Sequence, residues 1–181
     1  MEFPGSRRRV QQLVDEHYTS LYRYAYRLTG SRTDAEDLTQ DTFCQAQMKL
    51  HQIRDPSRAR AWLFSILRNA YLHRARARKH EPTVPLEWAG DPADRPPESL
   101  PEVEPERLQQ ALDELPEAFR TPIILYFFED FSYRAIAEQM DLPLGTVMSR
   151  LARAKAHLRA RLFLTAPGVL ARDNGRASDG L

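Results

Sequence analysis

Residues 131–162 read FSYRAIAEQMDLPLGTVMSRLARAKAHLRARL, a short helix, a tight turn and a longer basic helix. On a helical wheel Val147, Leu151, Ala154, Leu158 and Leu162 share one narrow face, which predicts the core side. The opposite face carries Thr146, Ser149, Ala152, Arg153, Ala156 and Ala160, with Arg150, Lys155, Arg159 and Arg161 around it. No acid occurs between Asp141 and Asp173. Small groups edged by cations suit a helix in a major groove, with cations at phosphates and small polar groups at base edges. The connection MDLPLG fits a helix-turn-helix. Asp141 tolerates a left-handed backbone, and Pro143 is acceptable at the first helical position. The competing reading is an ordinary helical hairpin with a solvated basic face.

Working backwards, helical spacing dominates and no strand signal appears, so an all-α protein is expected. A helix is predicted over 8–28, with Val10, Leu13, Val14, His17, Leu21 and Tyr24 recurring at three- and four-residue steps. Gly30 should stop it. Thr33 is the expected N-cap of the next helix, with Glu36 completing a capping box, and that helix runs to about His51. Ser57 is expected to cap a third helix reaching about Lys79. Residues 81–105 hold seven prolines and seven carboxylates against Arg95, which predicts an extended acidic tether with Trp88 as its odd apolar residue. Further helices are predicted over 106–115, 117–129, 132–140 and 143–162, with an irregularity at Pro122. The predicted organisation is therefore two small helical units, 8–80 and 106–163, a tether at 81–105 and a disordered tail at 164–181.

The net charge of +1 conceals a pattern: residues 1–80 carry +7, 81–131 carry −10 and 132–181 carry +4. Two basic blocks flank an acidic one. No apolar run approaches a membrane span, and the opening MEFPGSRRRVQQ lacks a signal-peptide core, so a cytoplasmic protein with no membrane insertion is expected. The single cysteine, Cys44, excludes an internal disulfide and a multi-cysteine zinc site. His17, His51, His73, His80 and His157 show no metal-ligand spacing, and no phosphate loop or nucleophile motif is present. No cofactor, metal or enzymatic activity is expected.

Residues 56–80 form a second basic stretch without Asp or Glu. Leu63, Ile66, Leu67, Ala70 and Ala77 make its core face, and Trp62, Ser65, Asn69, His73 and Arg76 line a second stripe. Phe64 and Tyr71 point elsewhere, beside Arg60, Arg68 and Arg78. Cations interleaved with aromatics and an Asn suit single-stranded bases. The competing reading makes the aromatics core and the arginines solvated.

Together, DAEDLTQDTFCQA (34–46), RAWLFSILRNAYLHRARAR (60–78) and LPEAFRTPIILYFFEDFSYRAIAEQMDLPLGTVMSRLARAK (115–155) resemble an extracytoplasmic-function (ECF) sigma factor of the sigma-70 family, over about residues 8–162. The resemblance implies a subunit that binds core RNA polymerase, at the clamp coiled coil of the largest subunit and the flap of the second largest. Its first domain would melt and read the −10 element and its second would read the −35 element. Asp37, Gln40, Asp41 and Cys44 share an exposed face in the segment similar to the family's clamp-binding region. Asn69 falls where the family has an Asn near the flipped −10 base, with residues 51–58 completing the pocket. Trp62, Ser65, His73, Arg74 and Arg76 are implied as further −10 contacts. Ser149 and Arg153 fall at −35 base contacts, with Thr146, Met148, Arg150, Ala152 and Lys155 around them. Gln47 stands where a Trp is usual and His73 where an Asp is usual; Met148 and Ala152 replace larger base-contacting side chains of some members. The family also implies an anti-sigma partner, and an acidic linker threading a basic polymerase channel. A conventional helix-turn-helix regulator is the competing reading; it accounts for residues 132–162 and leaves the first eighty unexplained.

Overall fold

The computed structural model describes residues 4–53, 55–77 and 103–164. The end of the third predicted helix, the predicted tether up to Glu102 with Trp88, and the tail from residue 165 lie outside them. Among the described residues the elements are helices α1 (Pro4–Thr29), α2 (Arg32–Met48), α3 (Ala59–Ala77), α4 (Pro105–Asp113), α5 (Glu117–Phe128), α6 (Tyr133–Met140) and α7 (Leu144–Arg159). Two 3-10 turns, Leu50–Gln52 and Pro56–Arg58, precede α3, and a π turn, Ala160–Leu164, follows α7. There is no strand among them.

Helix α1 ends at Gly30, whose φ of 67° favours a residue without a β-carbon. A Cβ there would also meet the Asp113 carboxylate at 3.0 Å. Ser31 then takes an extended conformation and its hydroxyl accepts from the Asp34 amide at 3.3 Å. The cap of α2 is therefore Ser31, two residues before the expected Thr33. The left-handed glycine places the first extended residue directly after it, and Thr33 is already helical. The cap ahead of α3 shifts in the same way. Asp55, not Ser57, accepts from the Ser57 amide at 2.9 Å and the Ser57 hydroxyl at 2.7 Å, and it starts a 3-10 turn before α3. Leu21, Tyr24 and Leu28 of α1, Ala35, Leu38 and Ala46 of α2, and Leu63 and Leu67 of α3 bury together. Thr39 and Thr42 are buried with them, and each hydroxyl donates 2.7 Å to the carbonyl one turn back.

In the second unit α5 is the apolar axis, burying Phe119, Ile123, Ile124 and Leu125. Pro122 stays inside the helix and is buried. Having no N–H, it leaves the Ala118 carbonyl without its usual amide. The Arg150 guanidinium makes a long contact with that oxygen at 3.5 Å. Ser132 caps α6 by accepting from the Ala135 amide at 3.1 Å. Asp141 is left-handed, at φ 53° and ψ 52°, as the turn reading expects. The Leu142 amide closes the turn on Ala137 O at 3.0 Å. Pro143 is the N-cap of α7 rather than its first helical residue, since its extended ψ of 143° presents its carbonyl to the Thr146 and Val147 amides.

The two units share one core. Tyr24 packs on Phe64 and Phe64 on Phe131, with ring centroids 5.0 and 5.2 Å apart. Phe64 is fully buried, so it does not present an outward ring to bases as its place beside arginines suggested. Tyr71 is half-buried against the same core. Wheel angle alone cannot see that α3 has a second packing partner. Arg60 spans the junction. It donates to Glu129 O at 2.7 Å, meets the Glu129 carboxylate at 3.3 Å and covers the Phe131 ring at 4.7 Å. Arg27 lies over the Phe128 ring at 3.7 Å, and Arg68 faces Glu117 at 3.6 Å. The C-terminal carbonyls of α1 are satisfied from the other unit: Arg120 donates to Leu28 O at 2.9 Å and Gln109 to Arg27 O at 3.2 Å.

Candidate functional site

Three outward faces hold the residues singled out in the sequence. On α2, Asp37, Gln40, Asp41 and Cys44 are all exposed, with Gln47 and Met48 continuing the face, while Leu38, Thr42 and Ala46 are buried. The segment predicted inward and the segment predicted outward fall on their expected sides. Asp41 is also ion-paired with Arg74 of α3.

On α3, Asn69, His73 and Arg76 are exposed, and Trp62 and Ser65 are half-buried at the N-terminal end of the same stripe. Trp62 packs partly on the core, and the Ser65 hydroxyl donates to Trp62 O at 2.7 Å. Arg74 is not brought to this stripe. It lies about 140° around the helix from Asn69 at 100° per residue, turned to Asp41. The stripe and the face docked on the second unit point in roughly opposite directions, since Arg60 and Phe64 sit about 180° and 140° from Asn69. Beside the stripe, the loop before α3 is pinned by buried Ile53 and by Asp55, whose carboxyl the Ser57 hydroxyl and amide hold below the usual carboxylate range. Arg58 at the end of that loop approaches Glu138 of α6 at 3.8 Å.

On α7, Val147, Leu151 and Ala154 are buried, so the helix packs on α5 and α6 by the predicted face. Met148 and Ser149 are exposed; Thr146, Ala152 and Arg153 are half-buried on the outer side. The Ser149 hydroxyl donates to Thr146 O at 3.0 Å. Two of the cations are engaged within the protein: Arg150 at Ala118 O, and Lys155 near the Tyr126 and Phe127 rings at 5.7 and 5.5 Å. At the far end, Arg161 pairs with Glu114 at 2.6 Å, and Glu114 also faces His157 at 3.3 Å. Burial lowers the His157 pKa and outweighs that carboxylate.

Sequence reasoning missed Leu144, which is 48% exposed one turn before Met148. It also missed Glu129, whose side chain is only 2% exposed. Burial pushes the Glu129 carboxyl up to about 7, against the opposing pull of Arg60, Arg23 and Arg27. Its position in an ED pair after an apolar helix reads as a solvated helix end; only the docked unit covers it. Among the described residues no helix is long and apolar enough to cross a membrane, and no cluster of His, Cys, Asp and Glu is placed to hold a metal ion.

Residues 13–81 match the family model of sigma-70 region 2, and residues 106–158 match that of sigma-70 region 4. The chain is 37% identical over 155 residues to the ECF RNA polymerase sigma factor SigE of Mycolicibacterium smegmatis, covering 82% of this chain and 59% of that protein. It is 34% identical over 159 residues to SigL of Mycobacterium tuberculosis, also an ECF RNA polymerase sigma factor, covering 84% of this chain and 88% of that one. The fold is similar to the sigma factor RpoE in its complex with the anti-sigma factor NepR from Bartonella quintana, with a TM-score of 0.69 and 28% identity over 86% of this chain and 98% of that one. It is also similar to CnrH in complex with the cytosolic domain of CnrY, with a TM-score of 0.65 and 27% identity over 88% of this chain and 91% of that one. The chain belongs to the ECF sigma factors, promoter-specificity subunits of RNA polymerase.

Proposed function

We propose that this chain docks on core RNA polymerase through the exposed α2 face of Asp37, Gln40, Asp41 and Cys44. In this reading α7 reads the −35 duplex, while the α3 stripe centred on Asn69 opens and reads the −10 element. It acts as a subunit rather than a catalyst, and works in the cytoplasm, where its proposed partner does. The observation that carries the reading is the disposition of three faces on one chain: an acidic polymerase-type face and two acid-free basic helices, each turned outward. The working units are taken as 8–80 and 106–163, joined by the acidic stretch 81–105, which would follow a basic polymerase channel. The relatives of similar fold are solved with anti-sigma proteins, and we extend that partnership to this chain.

Distance sets a condition on this function. The two promoter elements lie about 25 base pairs apart by their names, roughly 85 Å at 3.4 Å per pair. Arg58, in the candidate −10 pocket loop, is 3.8 Å from Glu138 on the helix before α7. The docked arrangement cannot serve both elements at once, so the units must part on the polymerase. From Ala77 to Val103 the chain can reach at most about 90 Å, enough to permit that.

Run-off transcription with purified core polymerase tests the reading. The wild-type chain should support initiation, and Asp37→Arg with Asp41→Arg should abolish co-purification with core while leaving helicity unchanged. Undiminished co-purification of the double variant would refute the α2 assignment.

A further inference from the structure

The outer side of α7 is unusual in what it lacks. Between Leu144 and Arg159 there is no Asn, Gln, Asp or Glu. Adenine is read in the major groove by Asn or Gln, and cytosine by a carboxylate. Neither chemistry is available on this helix; the hydroxyls of Thr146 and Ser149 suit either kind of base edge and so distinguish little, and the Ser149 proton is given to Thr146 O at 3.0 Å. Guanine requires an Arg or Lys, and of the two arginines nearest the helix start Arg150 is turned to Ala118 O, leaving Arg153 on the outer side. The remaining base signal is the C5-methyl group of thymine, which is read by apolar contact.

The structure supplies the apolar surface for it. Leu144 is 48% exposed and Met148 is 50% exposed, one helical turn apart. Ala152 continues the ridge by a further turn, and Gly145 beside it has no atom within 4 Å of a would-be Cβ. Two large apolar side chains left in water at the N-terminal end of a helix-turn-helix's second helix occupy the part that meets base edges. The helix is free of acids, so its charge suits DNA and not a basic partner surface.

We propose that Met148, with Leu144 and Ala152, reads thymine methyl groups in the −35 duplex, so that A·T pairs there are specified through their thymines. This rests on α7 being the −35 reader. Met148 packs by its flexible thioether chain against a methyl group and excludes water from it. Removing the methyl from the DNA, with every hydrogen-bonding group retained, should remove the preference.

Deoxyuridine makes that removal. Duplex promoters are first selected from a pool randomised across the −35 region, using holoenzyme assembled from this chain and core polymerase. The selected duplex is then made with thymine or with deoxyuridine confined to that region. Wild-type holoenzyme should bind the deoxyuridine duplex about fourfold more weakly per methyl contacted, the value of burying one methyl-sized group. Met148→Ala should weaken binding to the thymine duplex by a similar factor and shrink the difference between the two; Met148→Leu should restore part of it. Equal wild-type binding to both duplexes would overturn the proposal while leaving α7 as the reader. A Met148→Ala holoenzyme that keeps the full thymine preference would overturn the residue assignment. A loss of core binding in Met148→Ala, with thymine and deoxyuridine bound alike, would make the ridge a protein-docking surface instead. A selection that enriches no −35 sequence would remove the premise that α7 reads this element.

Discussion

Glu129→Gln should stabilise this protein at neutral pH, although it deletes a charge facing an arginine. The carboxyl of Glu129 is pushed up to about 7 from an ordinary 4.5, chiefly by burial beneath the first unit. Arg60 from α3 and Arg23 and Arg27 from α1 pull the other way but do not overcome it, and neighbouring Asp130 adds to the rise. The docked state thus holds the proton more tightly than a state in which Glu129 is solvated. Its contribution to stability is full below about pH 4.5 and is lost as the pH rises through about 7, then stays level. At about 1.4 kcal/mol per pH unit between those values, ionising Glu129 in place costs on the order of 3 kcal/mol. Gln keeps the shape and an acceptor for Arg60, and the 2.7 Å bond from Arg60 to the backbone carbonyl of residue 129 is untouched. The variant should melt roughly 5–10 °C above wild type at pH 8. It should match wild type near pH 4. The wild-type midpoint should fall between pH 5 and 7 relative to the variant. Circular dichroism melts at four pH values read this directly, and small-angle scattering reports whether the units stay docked. Parallel melting curves for the two proteins from pH 5 to 8 would refute the argument that burial by the docked unit controls this carboxyl.

Two further outcomes follow from the exposed faces. Asn69→Ala should leave polymerase binding near wild type and impair open-complex formation, with the defect shrinking on templates pre-melted across −10; permanganate reactivity of thymines on duplex and pre-melted promoters measures it, and unimpaired opening of duplex promoters would place the pocket elsewhere. Arg153→Ala should cost about 1–3 kcal/mol of promoter binding on intact −35 sequences and nothing on scrambled ones, by filter binding or gel shift with holoenzyme; an equal loss on both would make Arg153 a phosphate anchor.

Much of the fold was written in local periodicity. Among the described residues, apolar spacing placed the helices to within a few residues, because a helix must bury one stripe whatever it packs against. The left-handed Asp141 was legible because few residues tolerate that conformation, and the inward and outward sides of α2 and α7 followed from 100° steps. The caps of α2 and α3 were misplaced because several Ser, Thr and Asp residues competed for each, and backbone conformation, not identity, selected Ser31 and Asp55. Three matters were decided only by the tertiary structure. Phe64 is core because Phe131 from a unit some seventy residues away closes over it. Arg150 is turned toward a carbonyl that Pro122 leaves unpaired, and Arg74, which 100° steps already put off the Asn69 stripe, finds a partner in Asp41 of another helix. Glu129 is a buried acid because α1 and α3 remove it from water, and no pattern within its own helix carries the position of a surface contributed by another part of the chain.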